Sequence, residues 1–132
     1  MSIGGKEERQ SSSGIIVSTG LGSTGWLKSI YAGWRATTAS LTTTAMEGAA
    51  EGAFAWDAAH LHYVVREPFP SRTTGASLVI GRINRDHPMT IVSVMPEHGV
   101  IFSDGLEADF LEFNSGTKVT IGLAERHGSL VA

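Results

Sequence analysis

The second half of the chain is a succession of short apolar segments that turn residues separate. From His60 onward these segments read LHYVVRE, ASLVIGRI, MTIVSVM, GVIFS, DFLEF and KVTIGLA, and the intervening stretches are rich in Pro, Gly, Asn and Asp. Strand-length segments that follow one another without a helix between them are typical of a sandwich or barrel, not of a doubly wound sheet. In the last segment Val119, Ile121 and Leu123 alternate with polar or small residues, which predicts a strand buried on one face. The sequence therefore predicts a mainly β fold, a two-sheet β-sandwich.

The N-terminal part predicts a strand, a glycine-rich loop and the principal helix. Residues 14–19 (GIIVST) are a nearly continuous apolar run, which is typical of a buried strand. The loop at residues 20–25 follows, and Ser23 or Thr24 can cap the helix after it. We expect Gly33 and then the Thr-rich residues 37–44 to end that helix. Its apolar positions are Trp26, Leu27, Ile30, Tyr31 and Trp34, which recur at helical spacing.

Two stretches carry weaker patterns. The first ten residues are interpreted as a weak strand or a tail. Residues 35–57 are dominated by Ala, Thr and Gly, and we expect a long loop there with a short helix at about residues 45–54.

Composition narrows the class of protein. A length of 132 residues fits one domain. The net charge is −3 and no basic stripe is present, so we expect no nucleic-acid partner. No apolar run approaches the roughly 18–20 residues of a membrane span, and the polar N-terminus is not a secretory signal. The absence of cysteine excludes disulfides and a thiol nucleophile, and it is compatible with the cytoplasmic localisation that we expect.

The glycine-rich loop is the clearest candidate for a ligand site. Gly20, Gly22 and Gly25 satisfy the G-x-G-x-x-G spacing of dinucleotide-binding folds, but Glu47, the nearest acidic residue, does not end a second strand. A Rossmann fold is therefore disfavoured. Loop glycines let the backbone approach a ligand, and a helix N-terminus offers free N–H groups to an anion. The alternative is a strand-to-helix turn that requires small residues for packing alone.

The same segment resembles the NAD kinase family. Residues 13–26 read SGIIVSTGLGSTGW, and members of that family carry an aspartate-glycine pair, a hydrophobic strand and an S-T-P-T-G-S-T-A-Y motif before a helix. A weaker resemblance lies in FSDG at residues 102–105 and NSGTKVTI at residues 114–121. The two motifs lie towards the two ends of the chain, and the middle agrees only in its strand pattern.

This resemblance implies that residues 1–132 are the C-terminal β domain of an NAD-kinase-like enzyme. In the complete enzyme a phosphoryl group passes, with Mg²⁺, from ATP or polyphosphate to the 2′-hydroxyl of NAD. The aspartate of a Gly-Gly-Asp-Gly motif in the N-terminal domain is the candidate base, and this sequence contains no such motif. We therefore expect no catalytic residue here and no activity by this chain alone. The resemblance also implies a homo-oligomer, a dimer or a tetramer.

The ligand contacts that the resemblance implies can be transferred position by position. They fall on the loop and its two flanks: Ser13, Thr19, Gly22, Ser23, Thr24, Gly25, Trp26 and Ser29.

Some positions depart from the family pattern. Ser13 replaces the aspartate, and Trp26 replaces the tyrosine. Leu21 stands after the position of the family's proline, where the family often has a hydroxyl residue. The family's Asn-Glu or Asn-Asp pair has no counterpart. These departures leave open a sugar or lipid kinase-like relative with a different substrate. A non-catalytic ligand-binding or oligomerisation module is the other alternative, since three tryptophans could anchor an interface.

Three further groups of residues could bind a metal ion or phosphate, and each also has a purely structural interpretation. Asp57, His60 and His62 could ligate a metal, but solvent-facing polar residues of a strand are the favoured interpretation, so we predict no metal ligand. Asp104-Gly105 with Glu107 and Asp109 could form an acidic edge for Mg²⁺, and a tight turn is favoured. The loop that contains Arg66, Glu67 and Arg72 could contact phosphate, and a solvated loop is favoured.

Overall fold

The computed structural model describes residues 1–41, 54–103, 108–126 and 128. Nine strands, one short 3₁₀ helix and one α-helix lie in this part of the chain. In order they are β1 (Ser2–Ile3), β2 (Lys6–Glu7), β3 (Gly14–Ser18), the 3₁₀ helix (Leu21–Thr24), α1 (Trp26–Leu41), β4 (Leu61–Arg66), β5 (Ile80–Ile83), β6 (Met89–Val92), β7 (Val100–Phe102), β8 (Phe110–Glu112) and β9 (Lys118–Ile121). The prediction of a mainly β chain with one principal helix after the glycine loop is confirmed for these residues.

The strands form three small antiparallel sheets. Their orders are β2-β1-β6-β9, β3-β4-β5 and β7-β8. The described strands thus lie in three sheets, whereas the sequence predicted two. The ladder between β6 and β9 is interrupted near Gly116, which takes a φ of 87°. Beyond this point only isolated backbone hydrogen bonds connect the two segments, for example the bond that the Ser115 amide donates to the Met95 carbonyl at 2.6 Å. Beyond this irregular stretch, β7 and β8 pair as a separate ribbon.

The core lies between the two larger sheets. The register of β3, β4 and β5 places Tyr63 and Ile83 on the same face, and both are buried. They pack with Met89 of β6, and partly buried residues of both sheets surround the three side chains: Met1, Ile3, Ile15, Val17, Leu61, Ile91 and Ile121. The periodicity predicted for β9 fits this arrangement, because Val119 and Ile121 are half-buried and Lys118 and Thr120 are exposed.

The opposite face of β3-β4-β5 carries the helix. On β4 this face presents His62, Val64 and Arg66, and Val64 is fully buried. The Arg66 guanidinium lies over the indole of Trp26, with its carbon 4.8 Å from the ring centroid. Leu27, in the first turn of α1, is 1% exposed and is the apolar anchor of the helix. The glycine loop is therefore held between a three-stranded sheet and α1.

Helix α1 is longer than the sequence predicted. It passes through Gly33, so the expectation that Gly33 would end it is wrong, and its last residue, Leu41, lies within the Thr-rich residues 37–44 that were expected to end it. One helical glycine costs only about 1 kcal/mol, and hydroxyls can bond back to the preceding turn. Thr37 Oγ1 donates to the Gly33 carbonyl at 3.0 Å, and Ser40 Oγ donates to the Ala36 carbonyl at 2.9 Å.

Part of the stretch that was expected to be a loop, residues 35–57, is helical. Residues 35–41 are helical, and residues 54–57 have no regular structure beyond a turn. The short helix expected at about residues 45–54 falls, except for its last residue, outside the described residues. Within the described ranges no helix is both long and apolar enough to cross a membrane.

Candidate functional site

The glycine loop closes on itself through short-range hydrogen bonds. The amide of Ser23 donates to the Gly20 carbonyl and the amide of Gly25 to the Gly22 carbonyl, each at 3.2 Å. The amide of Gly22 donates to Thr19 Oγ1 at 3.1 Å. These bonds form the 3₁₀ turn and occupy three N–H groups that the sequence offered to a ligand.

Ser23 is buried inside the loop. Its side chain is 0% exposed, and its hydroxyl donates to the Gly20 carbonyl at 2.6 Å. The same hydroxyl accepts the amide of Phe54 at 3.3 Å. Ser23 thus connects the loop to the segment that precedes β4, and its hydroxyl is engaged there instead of capping α1.

Gly20 allows that segment to come close. Its backbone is α-helical, so the conformation does not require glycine. A Cβ at this position would collide with the carbonyl oxygen of Ala55. The glycine is needed because another stretch of backbone packs directly against it.

The other sequence-predicted ligand residues lie at the surface. Thr19, Gly22, Thr24, Gly25 and Ser29 are exposed, and Trp26 is 40% exposed. Ser13, before β3, donates from its amide (3.1 Å) and from its hydroxyl (3.4 Å) to the Arg66 carbonyl. Because the Arg66 side chain covers Trp26, Ser13 and Trp26 share one neighbour, Arg66. The structure thus groups Ser13 and Trp26 around Arg66 and withdraws Ser23 to the interior.

The Arg66–Trp26 pair gives this surface a flat, positively charged character. Arg66 also forms an ion pair with the adjacent Glu67 at 3.5 Å, and the two side chains are 31% and 71% exposed. Exposed pairs of this kind are weak and exchange readily. A guanidinium beside an indole suits a ligand that combines an anionic group with a planar ring.

The donor set does not fit Mg²⁺. Residues 19–26 contain no carboxylate, and Mg²⁺ is usually held by one or two carboxylates. No group of three or more His, Cys, Asp or Glu in the described part of the chain is arranged to hold a metal ion. Of the acidic edge considered above, Asp109 is exposed, and Asp104 to Glu107 lie outside the described residues.

His62 on β4 and His60 just before that strand are not the solvent-facing residues that we favoured. Their rings are 5.2 Å apart, and the Phe54 ring stacks on His62 at 4.2 Å and on His60 at 5.0 Å. His60 Nε2 and both ring nitrogens of His62 are shielded from solvent. The favoured interpretation is corrected, because Phe54 covers this part of the sheet, whereas Asp57 is exposed.

Sequence reasoning missed two contributors to the site. Phe54 lies 31 positions from Ser23, and no motif links them. Arg66 was recognised only as part of an Arg-containing loop. Its place over Trp26 follows from the pairing of β4 with β3. Comparisons with known protein families, with curated proteins and with solved structures found no match.

Proposed function

We propose that this chain is the nucleotide-binding β domain of an NAD-kinase-like protein, with a ligand site on the surface around Arg66, Trp26 and the exposed loop residues. The observation that carries the proposal is the placement of the Arg66 guanidinium over Trp26, while Ser13 is bonded to the backbone carbonyl of the same Arg66. The retained S-T-x-x-G-S-T pattern in residues 18–24 supports it. NAD offers the matching chemistry, since it has planar bases and a pyrophosphate.

Within this proposal the loop residues have different tasks. Thr24 and Gly25 are exposed and stand next to Trp26, so they are the contacts that a ligand would reach. Ser23 supports the loop from inside through Gly20 and Phe54. No phosphoryl-transfer step is assigned to these residues, because none of them is a carboxylate that could act as base or hold Mg²⁺.

The proposal predicts that NAD shifts the backbone amides of Thr24 and Gly25 in an NMR titration. Removing the guanidinium should weaken binding, because hydrogen bonds to a charged group are worth about 1.5–3 kcal/mol. We expect Arg66→Gln to raise the Kd for NAD about tenfold or more. Adenosine, which lacks phosphate, should lose little affinity in the same variant.

The matched control is Arg72→Gln, which removes an exposed arginine from the loop that follows β4. We expect this variant to bind NAD like the unmodified chain. Thr24 and Gly25 amides that stay unmoved at millimolar NAD would contradict the site. Equal losses in both arginine variants would show that only the overall charge matters.

A further inference from the structure

Phe54, His60 and His62, here called the ring cluster, form a desolvated group at the start of β4, where His62 lies on the helix-facing side of the strand. Phe54 is nearly parallel to both imidazoles, at interplanar angles of 18° and 17°. Three of the four imidazole nitrogens are inaccessible to water and have no hydrogen-bond partner among the described residues. A neutral imidazole tolerates such surroundings far better than an imidazolium, whose charge needs hydration or a counter-ion.

The charges around the ring cluster also oppose protonation. Arg82 of β5 pairs with His62 across the sheet, and Ser18 of β3 pairs with it on the other side. From α1, Tyr31 is close enough to Arg82 to be influenced by its charge. Within the described residues no carboxylate forms an ion pair with either histidine. A proton on the cluster would therefore face a second cation and no compensating anion.

The ring cluster is connected directly to the glycine loop. The Phe54 amide donates to Ser23 Oγ, and the next residue, Ala55, places its carbonyl against Gly20. The stacking of Phe54 on the histidines and the closure of residues 54–55 on the loop therefore depend on the same short segment.

We propose that the ring cluster is a pH-sensitive switch, in which protonation of His62 releases Phe54 and so frees the glycine loop from residues 54–55. The bond from Phe54 to Ser23 is lost, and the backbone contact at Gly20 opens. The effect concerns the conformation of the loop, so it holds whether or not the loop binds a nucleotide.

The direction of the pH effect follows from the histidine environment. Burial, and then the charges of His60 and Arg82, lower the pKa of His62. Above the ordinary histidine pKa of about 6.5, the closed and the open forms are both neutral, and pH has no effect through this group. As the pH falls below that value, the open form takes up protons that the closed form excludes. The closed form therefore loses stability as the pH falls.

An NMR titration of the full chain from pH 8 to pH 5, with EDTA present to exclude metal ions, tests the switch. We expect the amides of Phe54 and of residues 20–25 to shift together with the ring protons of the histidines. Hydrogen exchange at the Phe54 amide, corrected for its intrinsic pH dependence, should lose protection as the pH falls below the ordinary histidine pKa of about 6.5. A Phe54 amide that stays stationary while the His62 ring protons shift would overturn the proposal.

Two double variants separate the cluster from other titrating groups. His60→Phe with His62→Phe keeps stacked rings without a titratable nitrogen, and His60→Gln with His62→Gln keeps polar side chains. Either should abolish the pH response of the loop. His98→Asn is the control, because His98 has an 89% exposed side chain and a positive φ that Asn accepts, and it should leave the response intact. A response that persists in the double variants would overturn the assignment.

Discussion

At the scale of single residues, the glycines of this chain have different reasons to be small. Gly20 is small because the Ala55 carbonyl lies against it, whereas Gly33, in the middle of α1, has open space around it. Composition alone does not distinguish such glycines. Their substitutions should have opposite effects on stability.

We expect Gly20→Ala to destabilise the chain by about 1–3 kcal/mol, because the added methyl group forces two backbone segments apart. Gly33→Ala is the control, and it should stabilise the chain by about 0.5–1 kcal/mol, because alanine loses less conformational entropy in a helix. Urea unfolding of both variants measures the two changes. Gly20→Ala with unchanged stability would contradict the close contact with Ala55.

At the scale of elements, the N-terminal hairpin is held by one carboxylate. Glu8, which follows β2, accepts hydrogen bonds from the amides of Ser77 and Leu78 at 2.9 and 3.1 Å. The hydroxyl of Ser77 and the side-chain amide of Gln10 also donate to the Glu8 carboxylate. These bonds explain why β5 begins only at Ile80, although the apolar pattern predicted a strand from Ala76: the carboxylate takes amides that a ladder would otherwise use.

The same bonds predict acid sensitivity. Hydrogen bonds from Ser77, Gln10 and Leu78 lower the pKa of Glu8 to about 2. A lowered carboxyl pKa contributes stability that is complete above the ordinary glutamate pKa and is lost as the pH falls towards the lowered value. We expect the Tm of the unmodified chain to fall between about pH 4.5 and pH 2 more steeply than the Tm of Glu8→Gln.

Glu7→Gln is the control for this experiment, because Glu7 lies on β2 and is exposed. Its pH profile should follow that of the unmodified chain. Parallel Tm curves for Glu8→Gln and the unmodified chain would show that the carboxylate does not join the hairpin to residues 77–78.

At the scale of the whole molecule, the β7-β8 ribbon stands out because its apolar side chains are exposed. Leu111 is 68% exposed, and Val100, Phe102 and Phe110 are about half-exposed. A two-stranded ribbon is marginally stable by itself, and exposed apolar patches often mark interaction surfaces. The oligomerisation module considered from the sequence would use such a surface.

We therefore expect a solution mass of at least twice 14.0 kDa by light scattering. Phe110→Lys should reduce this mass, because Phe110 shares one face of the ribbon with Val100 and Phe102 and the variant places a charge there. Glu112→Lys on the same strand is the control, because it changes charge without removing an apolar side chain. A clean monomer at high concentration would contradict the expectation.

Much of the fold was predictable from the sequence because its signals are local. Alternation and turn residues identified β4, β6 and β9, and the apolar run identified β3. The continuation of α1 past Gly33 was missed, because back-bonding by Thr37 and Ser40 offsets helix-breaking composition. The third sheet was missed because a strand pattern does not state which partner a strand will choose.

The sequence by itself determined the strand segments, the glycine loop and the start of the helix after it, since each depends on neighbouring residues. Only the tertiary structure decided which loop side chains face solvent. It buried Ser23 and bonded its hydroxyl to the Phe54 amide, stacked Phe54 on His60 and His62, and laid Arg66 over Trp26. These contacts join residues far apart in the chain, and their free energy depends on packing and desolvation that exist only once the sheets and the helix have assembled.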